Sequence, residues 1–350
     1  MGRRGSNPLI STMVQDDAWF ECSDGGRLFL RRWLPAAKSE AVLHVVHGMA
    51  EHSGRYGRLA ESLCEAGIEV WAADQRGHGK TADPSVNGPE KGGLLGHCAD
   101  RDAFGRVTAD VCEINLEIRK TRPGVPLILM GHSWGSFIAQ SCMGRKPAEG
   151  LAPGVNAMDG CILSGTRGPG GLRTRAGLPV LAALAALRGR RRGSPLARAM
   201  VDGPYSKAFR PNRTPFDWLS RDEAEVDAYC RDPLCGALCS AGFYRDLAGG
   251  LLEIHRGEIM ENIRRDLPVY IVCGNDDPVG DMGASPAALV AAYRSLGMSD
   301  LEFVLYPGAR HEPLNETNRE EVTVNLFSWI HRVTAPPACR GWTEAKAGPE

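Results

Sequence analysis

The stretch LILMGHSWGSFIAQ, residues 127–140, holds one serine between two glycines, Gly131-His132-Ser133-Trp134-Gly135. An apolar run precedes the motif and residues at helical spacing follow it. The serine therefore falls where a buried strand turns into a helix. In that setting a Gly-x-Ser-x-Gly turn is strained and lifts the hydroxyl clear of the sheet. The glycines let strand and helix approach closely, because neither carries a Cβ. The other reading of the same residues is an ordinary turn with Ser133 as a helix cap. Context favours a nucleophile.

Working outward, the same strand-then-helix rhythm recurs. AWFECS, a DGG turn and RLFLRRWL read as a hairpin. AVLHVVHG and IEVWAAD read as buried strands, separated by a helix through RYGRLAESLCEAG. An amphipathic helix over DAFGRVTADVCEINLEIRKTR stops before Pro123, and MDGCILSG, LPVYIVCG and LEFVLYPG read as further strands. The spacing predicts a last helix from about Asn318 to Val333. Apolar strands alternating with helices give an α/β fold, with a mostly parallel sheet and helices on both faces. The rhythm breaks over residues 166–265, which read as an inserted lid, or cap, over the C-terminal edge of the sheet. The core then comprises 17–165 and 266–334, with 1–16 a flexible N-terminus and 335–350 a flexible tail.

A serine hydroxyl needs a base, and the base needs an acid to orient it. Both follow downstream in the order that such sheets require. Asp277 lies just past an apolar strand in YIVCGNDDPVGD, and its proline neighbour fixes the turn. Asp276 is the second choice for the acid. His311 sits in the loop after the next strand, in LYPGARHEPLNE. His331, in the last helix, and His255, in the insertion, read as packing or surface residues. Acyl chemistry also needs donors for a developing oxyanion. The Trp134 N–H follows the nucleophile. The Met49 N–H follows the His47-Gly48 turn, where His47 reads as a structural support.

Composition excludes several classes. The net charge is -1 and 24% of residues are charged, which supports no nucleic-acid partner. The cysteines number 11, an odd count with no Cys-x-x-Cys pair, so reduced thiols and a cytoplasmic chain are expected. No apolar run is long enough to span a bilayer, and the N-terminal stretch lacks the apolar core of a secretory signal. No metal-ligand cluster, phosphate loop or dinucleotide fingerprint stands out, so no metal or cofactor is expected. Oligomeric state is not legible.

VVHGMAEHSGRY, AADQRGHGKT, GHSWGS, GNDDPVG and PGARHEPLNE, in this order, resemble the bacterial members of the monoacylglycerol lipase/lysophospholipase branch of the α/β-hydrolases. That branch is also grouped with serine aminopeptidases of the S33 type. The resemblance covers about residues 17–333. It implies the α/β-hydrolase fold, with Ser133, Asp277 and His311 as a catalytic triad and Met49 and Trp134 as the oxyanion hole. It also implies that Glu51 and Arg55 meet the polar end of the substrate, although the two also read as an ion pair that stabilises their loop. TPFDWLSRD, residues 214–222, matches bacterial members without an evident role.

The implied activity is hydrolysis of carboxylic esters of lipids, foremost monoacylglycerols. Lysophospholipase or general carboxylesterase activity is an alternative, as is an amidase or aminopeptidase using the same triad. SRDEAEVD supplies lid carboxylates that such an enzyme would need for a free amine. A non-catalytic scaffold of the same fold is disfavoured by the intact constellation. A dehalogenase is disfavoured because it would carry an aspartate at position 133. In GLPVLAALAALRGRRRG, Leu178, Leu181, Leu184 and Leu187 recur at near-helical spacing before Arg188, Arg190, Arg191 and Arg192. This segment reads either as a lid helix packed on the body or as one touching a membrane surface transiently, which would make the protein peripheral there.

Overall fold

A computed structural model describes residues 13–145, 158–169 and 171–335. Eight strands form one sheet: β1 (Met13–Glu21), β2 (Arg27–Pro35), β3 (Ala41–Val46), β4 (Ile68–Ala73), β5 (Leu127–His132), β6 (Gly160–Ser164), β7 (Val269–Gly274) and β8 (Leu301–Tyr306). Their spatial order is β1-β2-β4-β3-β5-β6-β7-β8. The pairs β1/β2 and β2/β4 are antiparallel and the rest are parallel. The central strands are buried on both faces, hence their largely apolar runs.

The first strand begins earlier than the sequence suggests. β1 pairs with β2 from Met13↔Pro35 onward, so Met13 to Asp16 belong to the sheet and not to the flexible arm assigned to residues 1–16. This is a half-exposed edge strand, and Gln15, Asp16 and Asp17 interrupt any apolar alternation. Residues 1–12 of that arm and 336–350 of the expected tail lie outside the described residues.

Helices α1 (Gly57–Glu65), α2 (Ala103–Thr121) and α3 (Trp134–Gly144) follow β3, β4 and β5. Between β6 and β7 come α4 (Leu172–Arg188), α5 (Pro195–Val201), α6 (Gly203–Lys207), α7 (Glu223–Arg231), α8 (Ala241–Glu253) and α9 (Gly257–Met260). Then follow α10 (Ala284–Ser295) and α11 (Arg319–Thr334). Alternate strand residues face opposite layers. Leu43, Val45, Ile128, Met130 and Val272 pack with Leu59 and Leu63 of α1 and Leu326, Trp329 and Ile330 of α11. Leu129, Cys161, Leu163 and Ile271 pack with Phe104 and Val107 of α2, Phe137 and Ile138 of α3, and Leu289 of α10.

The lid helix α4 turns most of its leucine series inward. Leu181 is buried, and Leu178 and Leu184 pack partly against the core. The outward stripe is a different one: Leu172, Ala176, Val180, Ala183 and Leu187. Leu172 is 84% exposed and Leu187 85%. Two of the four arginines are already paired. Arg190 meets Asp246 at 2.6 Å, and Arg191 meets Asp100 at 2.6 Å.

Candidate active site

Ser133 sits between β5 and α3 with φ 52° and ψ -120°, left-handed backbone that costs a serine free energy. The fold compensates through the two glycines. A Cβ on Gly131 would lie 2.2 Å from the Gly135 carbonyl oxygen, and one on Gly135 only 2.0 Å from the Val46 carbonyl oxygen. The Ser133 N–H donates to the Ser164 carbonyl at 2.9 Å. Its own carbonyl accepts the Ser136 hydroxyl at 2.6 Å. Strand, turn and helix are thus locked with the serine side chain at the end of β5. That side chain makes no capping hydrogen bond, which removes the ordinary reason for a serine here.

His311 and Asp277 meet across two loops at the same sheet edge. His311 Nδ1 lies 3.0 Å from both Asp277 carboxylate oxygens. Asp277 Oδ1 also accepts the Val279 N–H at 2.8 Å, which orients the carboxylate. Asp277 is fully buried, whereas Asp276 is exposed, so only the former can serve the histidine. Burial works against a charged imidazole at His311, but the Asp277 charge and hydrogen bond outweigh it and raise its pKa above the usual 6.5. Ser133 and His311 line one cavity, with Gly48, Met49, His132 and Trp218 around them.

His132 lies beside His311, with ring centroids 4.9 Å apart. Burial, then the His311 charge, push its pKa down to about 4, so it is neutral at physiological pH. TPFDWLSRD acquires a clear purpose. Trp218 packs its ring 5.1 Å from that of His311, and the Leu219 carbonyl accepts the Glu312 N–H at 2.8 Å. Arg310 donates to the carbonyls of Asp217 and Ser220. The segment holds the His311 loop in place. Nothing in its own composition signals this, because its partners lie about a hundred residues downstream.

Two backbone N–H groups, of Trp134 and Met49, have no backbone acceptor among the described residues. Trp134 opens α3, so its N–H has no intrahelical acceptor. Among the described residues no backbone acceptor takes the Met49 N–H either. The loop carrying Met49 is braced from beneath. His47 Nδ1 donates to the Gly48 carbonyl at 2.8 Å, while its Nε2 accepts the Gln75 N–H at 2.9 Å. One neutral tautomer satisfies both bonds, and burial lowers the pKa of His47 in agreement. Gln75 also accepts the Trp134 indole N–H at 2.8 Å, which ties the two donor segments together.

Glu51 and Arg55 belong to a buried ionic cluster. Glu51 accepts the Gly48 N–H at 2.5 Å and the Tyr56 hydroxyl at 3.1 Å. Arg55 meets Glu51 at 2.7 Å and grips Glu312 with both terminal nitrogens, at 2.6 and 2.7 Å. Burial pulls the Glu51 pKa upward, yet Arg55 and the neighbouring histidines bring it down to about 2. The cluster connects the Met49 loop to the His311 loop. Glu51 and Glu312 line the cavity, whereas Arg55 is committed to the two carboxylates.

The SRDEAEVD carboxylates do not converge on the cavity. Asp222 pairs with Arg319, Glu225 with Arg58 and Asp227 with Arg213. One group of potential metal ligands, absent from any local sequence pattern, gathers beside the site. The ligand atoms of His52, Asp232 and Cys235 lie within 4.8 Å of one another. His52 Nδ1 accepts the Gly54 N–H, so Nε2 carries the proton and donates to Asp232 at 2.9 Å. The arrangement is a hydrogen-bonded clasp between loop and lid, and its tautomer opposes metal ligation.

Comparison with known proteins agrees with this geometry. The family model described as serine aminopeptidase, S33, matches residues 37–318. A monoacylglycerol lipase of Mycolicibacterium smegmatis is 30% identical over 315 residues, spanning 87% of this chain and 93% of that protein. The mouse monoglyceride lipase is 28% identical, spanning 90% of this chain and 91% of its own. Among solved structures, a thermostable carboxyl esterase from Bacillus coagulans, in complex with glycerol, superimposes with a TM-score of 0.80 at 27% identity, covering 93% of this chain and 100% of that one. On its strand order, its strained Ser133 turn and this match across most of its length, the chain belongs to the S33 serine aminopeptidase family of α/β-hydrolases.

Proposed function

We propose that the protein is a serine hydrolase that cleaves carboxylic esters of lipids, monoacylglycerols foremost, through Ser133, His311 and Asp277. The observation that carries this reading is that His311, held by Asp277, lines the same cavity as the strained Ser133. Neutral His311 takes the Ser133 proton as Oγ attacks the ester carbon. The Met49 and Trp134 N–H groups receive the negative charge on the carbonyl oxygen. Collapse expels the alcohol, protonated by His311, and leaves an acyl-enzyme on Ser133. Water, activated by the same imidazole, then frees the acid. Asp277 fixes the imidazole tautomer and stabilises its charged form. Similarity to lipases acting on monoacylglycerols supports the lipid ester as substrate.

The outward stripe of α4 supports a second element of the reading, transient contact of the lid with a lipid surface. Leu172, Val180 and Leu187 face solvent there, and Arg188 and Arg192 lie exposed beside them. Among the described residues no helix is long and apolar enough to cross a membrane, so any such contact is superficial.

The test is labelling by a fluorophosphonate probe, followed by turnover of monoacylglycerols, lysophospholipids, short esters and aminoacyl amides. Wild type should label and turn over glycerol esters fastest, and Ser133→Ala should do neither. Faster cleavage of aminoacyl amides would make the protein a peptidase. Absent labelling of wild type would make it a scaffold.

A further inference from the structure

The lid places a carboxylate over the site that neither the triad nor the oxyanion loop uses. Asp202 lies between α5 and α6 and lines the same cavity as Ser133 and His311. Its Oδ1 is buried and has no hydrogen-bond partner. Leaving a carboxylate oxygen so costs free energy unless something supplies a donor. The local uses of an aspartate are not taken here. Asp202 precedes α6 but makes no capping bond. Its other oxygen stands 3.6 Å from Arg198 Nε, an ion pair without a close hydrogen bond. Burial pushes the carboxyl up to about 6, with Arg198 pulling the other way.

The chemistry of the pair tells which half of an ester it suits. Arg198 donates to the Gly236 carbonyl at 3.4 Å. Gly236 in turn donates to the Ala50 carbonyl at 2.8 Å, next to Met49. Asp202 is therefore linked through three contacts to the loop that would hold the reacting carbonyl. An acyl chain carries no donor, so an alkyl group against Oδ1 would leave it unsatisfied. The alcohol half of an ester can carry hydroxyls. Arg198 neutralises the pair, which favours an uncharged donor over an ammonium group.

We infer that Asp202, with Arg198 beside it, reads the leaving alcohol by accepting a hydrogen bond from a free hydroxyl next to the ester. The inference rests on the ester-hydrolase reading above and deepens it. Asp202 is a specificity residue, touching the alcohol without taking part in proton transfer. The selectivity follows from chemistry: a site built to bond a hydroxyl discriminates strongly against an analogue lacking it, because its own polar group is then left unpaired. The residue is invisible to sequence reasoning, since MVDGPY carries no motif and only the closed lid brings it to Ser133.

The experiment compares octanoyl esters of glycerol, ethanol and 2-aminoethanol. The readout is the ratio of kcat/KM values, with enzyme concentration set by fluorophosphonate titration so that misfolded protein does not count. Wild type should prefer the glycerol ester to the ethyl ester. Asp202→Ala should cut that preference at least about tenfold, and Asp202→Asn should cut it less because its amide oxygen still accepts. A glycerol/ethyl ratio within about twofold of wild type in Asp202→Ala would overturn the inference, whether both rates fall together or neither does. It would also be overturned if the preference lost were for the aminoethyl ester, which would make Asp202 an amine reader. If titrated wild-type enzyme cleaves none of the three esters, the hydrolase reading fails and this inference with it.

Discussion

At the scale of single residues, the site turns on which of two adjacent aspartates is buried. Sequence spacing favours Asp277 but leaves Asp276 open. The structure puts Asp277 under His311 and Asp276 in solvent. Asp277→Asn should therefore cut kcat by about 10⁴, because the amide no longer selects the correct imidazole tautomer. Asp276→Asn should stay within about twofold of wild type; steady-state kinetics on one soluble ester decides both. The pH profile follows from the same pair. His311 must be neutral to accept the serine proton, and its pKa lies above 6.5 in the folded protein. Activity should fall as pH drops through that raised value. The acid limb of kcat/KM against pH should thus have its midpoint above 6.5, and a midpoint below it would contradict the Asp277 assignment.

At the scale of elements, the decisive unit is β5–turn–α3, and its tolerances are steric. Gly135 lies so close to the Val46 carbonyl that no rotamer change can relieve an added methyl, since the obstacle is backbone. Gly135→Ala should destabilise the protein by about 3 kcal/mol and displace the Trp134 N–H, measurable by urea denaturation and loss of probe labelling. Gly177→Ala makes a fair control. A Cβ there meets nothing within 4 Å, and the position is helical, so stability should hold or rise slightly. Residues 214–222 teach a related lesson: an irregular segment contributes by offering carbonyls and Trp218 to the His311 loop from another part of the chain.

At the scale of the molecule, the segment between β6 and β7 covers the cavity at Ser133. The cavity at Ser133 has a volume of about 40 Å³, well below the several hundred Å³ typical of ligand pockets. We predict that this segment moves away from the core to admit an acyl glycerol. The ties such a movement would release are the Tyr229 hydroxyl and Gly236 N–H to the Ala50 carbonyl, each 2.8 Å, and the His52–Asp232 clasp. A lipid surface that engages the outward stripe of α4 would favour the open lid by mass action. Flotation with anionic vesicles should show binding at low salt that high salt removes, and Leu187→Asp should weaken it. No flotation at low salt would leave α4 as a packed lid helix without a membrane role.

The alternation of apolar strands with helices made the layered fold legible, because strand and helix periodicities are local properties of the chain. The positions of the proposed triad were legible for a similar reason: each stands just past a strand end, and a parallel sheet gathers such ends at one edge. The edge strand at Met13 was not, since its polar residues carry no pattern and only pairing with β2 organises them. Nor was the direction of the leucines of α4, because a helix with apolar residues all round does not say which side meets the core. The partnership of Arg55 with Glu312, the clamp of Trp218 on His311 and the burial of the unsatisfied Asp202 Oδ1 over the site depend on contacts between residues far apart in the chain. Burial strengthens charges and hydrogen bonds and penalises those left unmatched, and burial is a property that only the folded chain possesses.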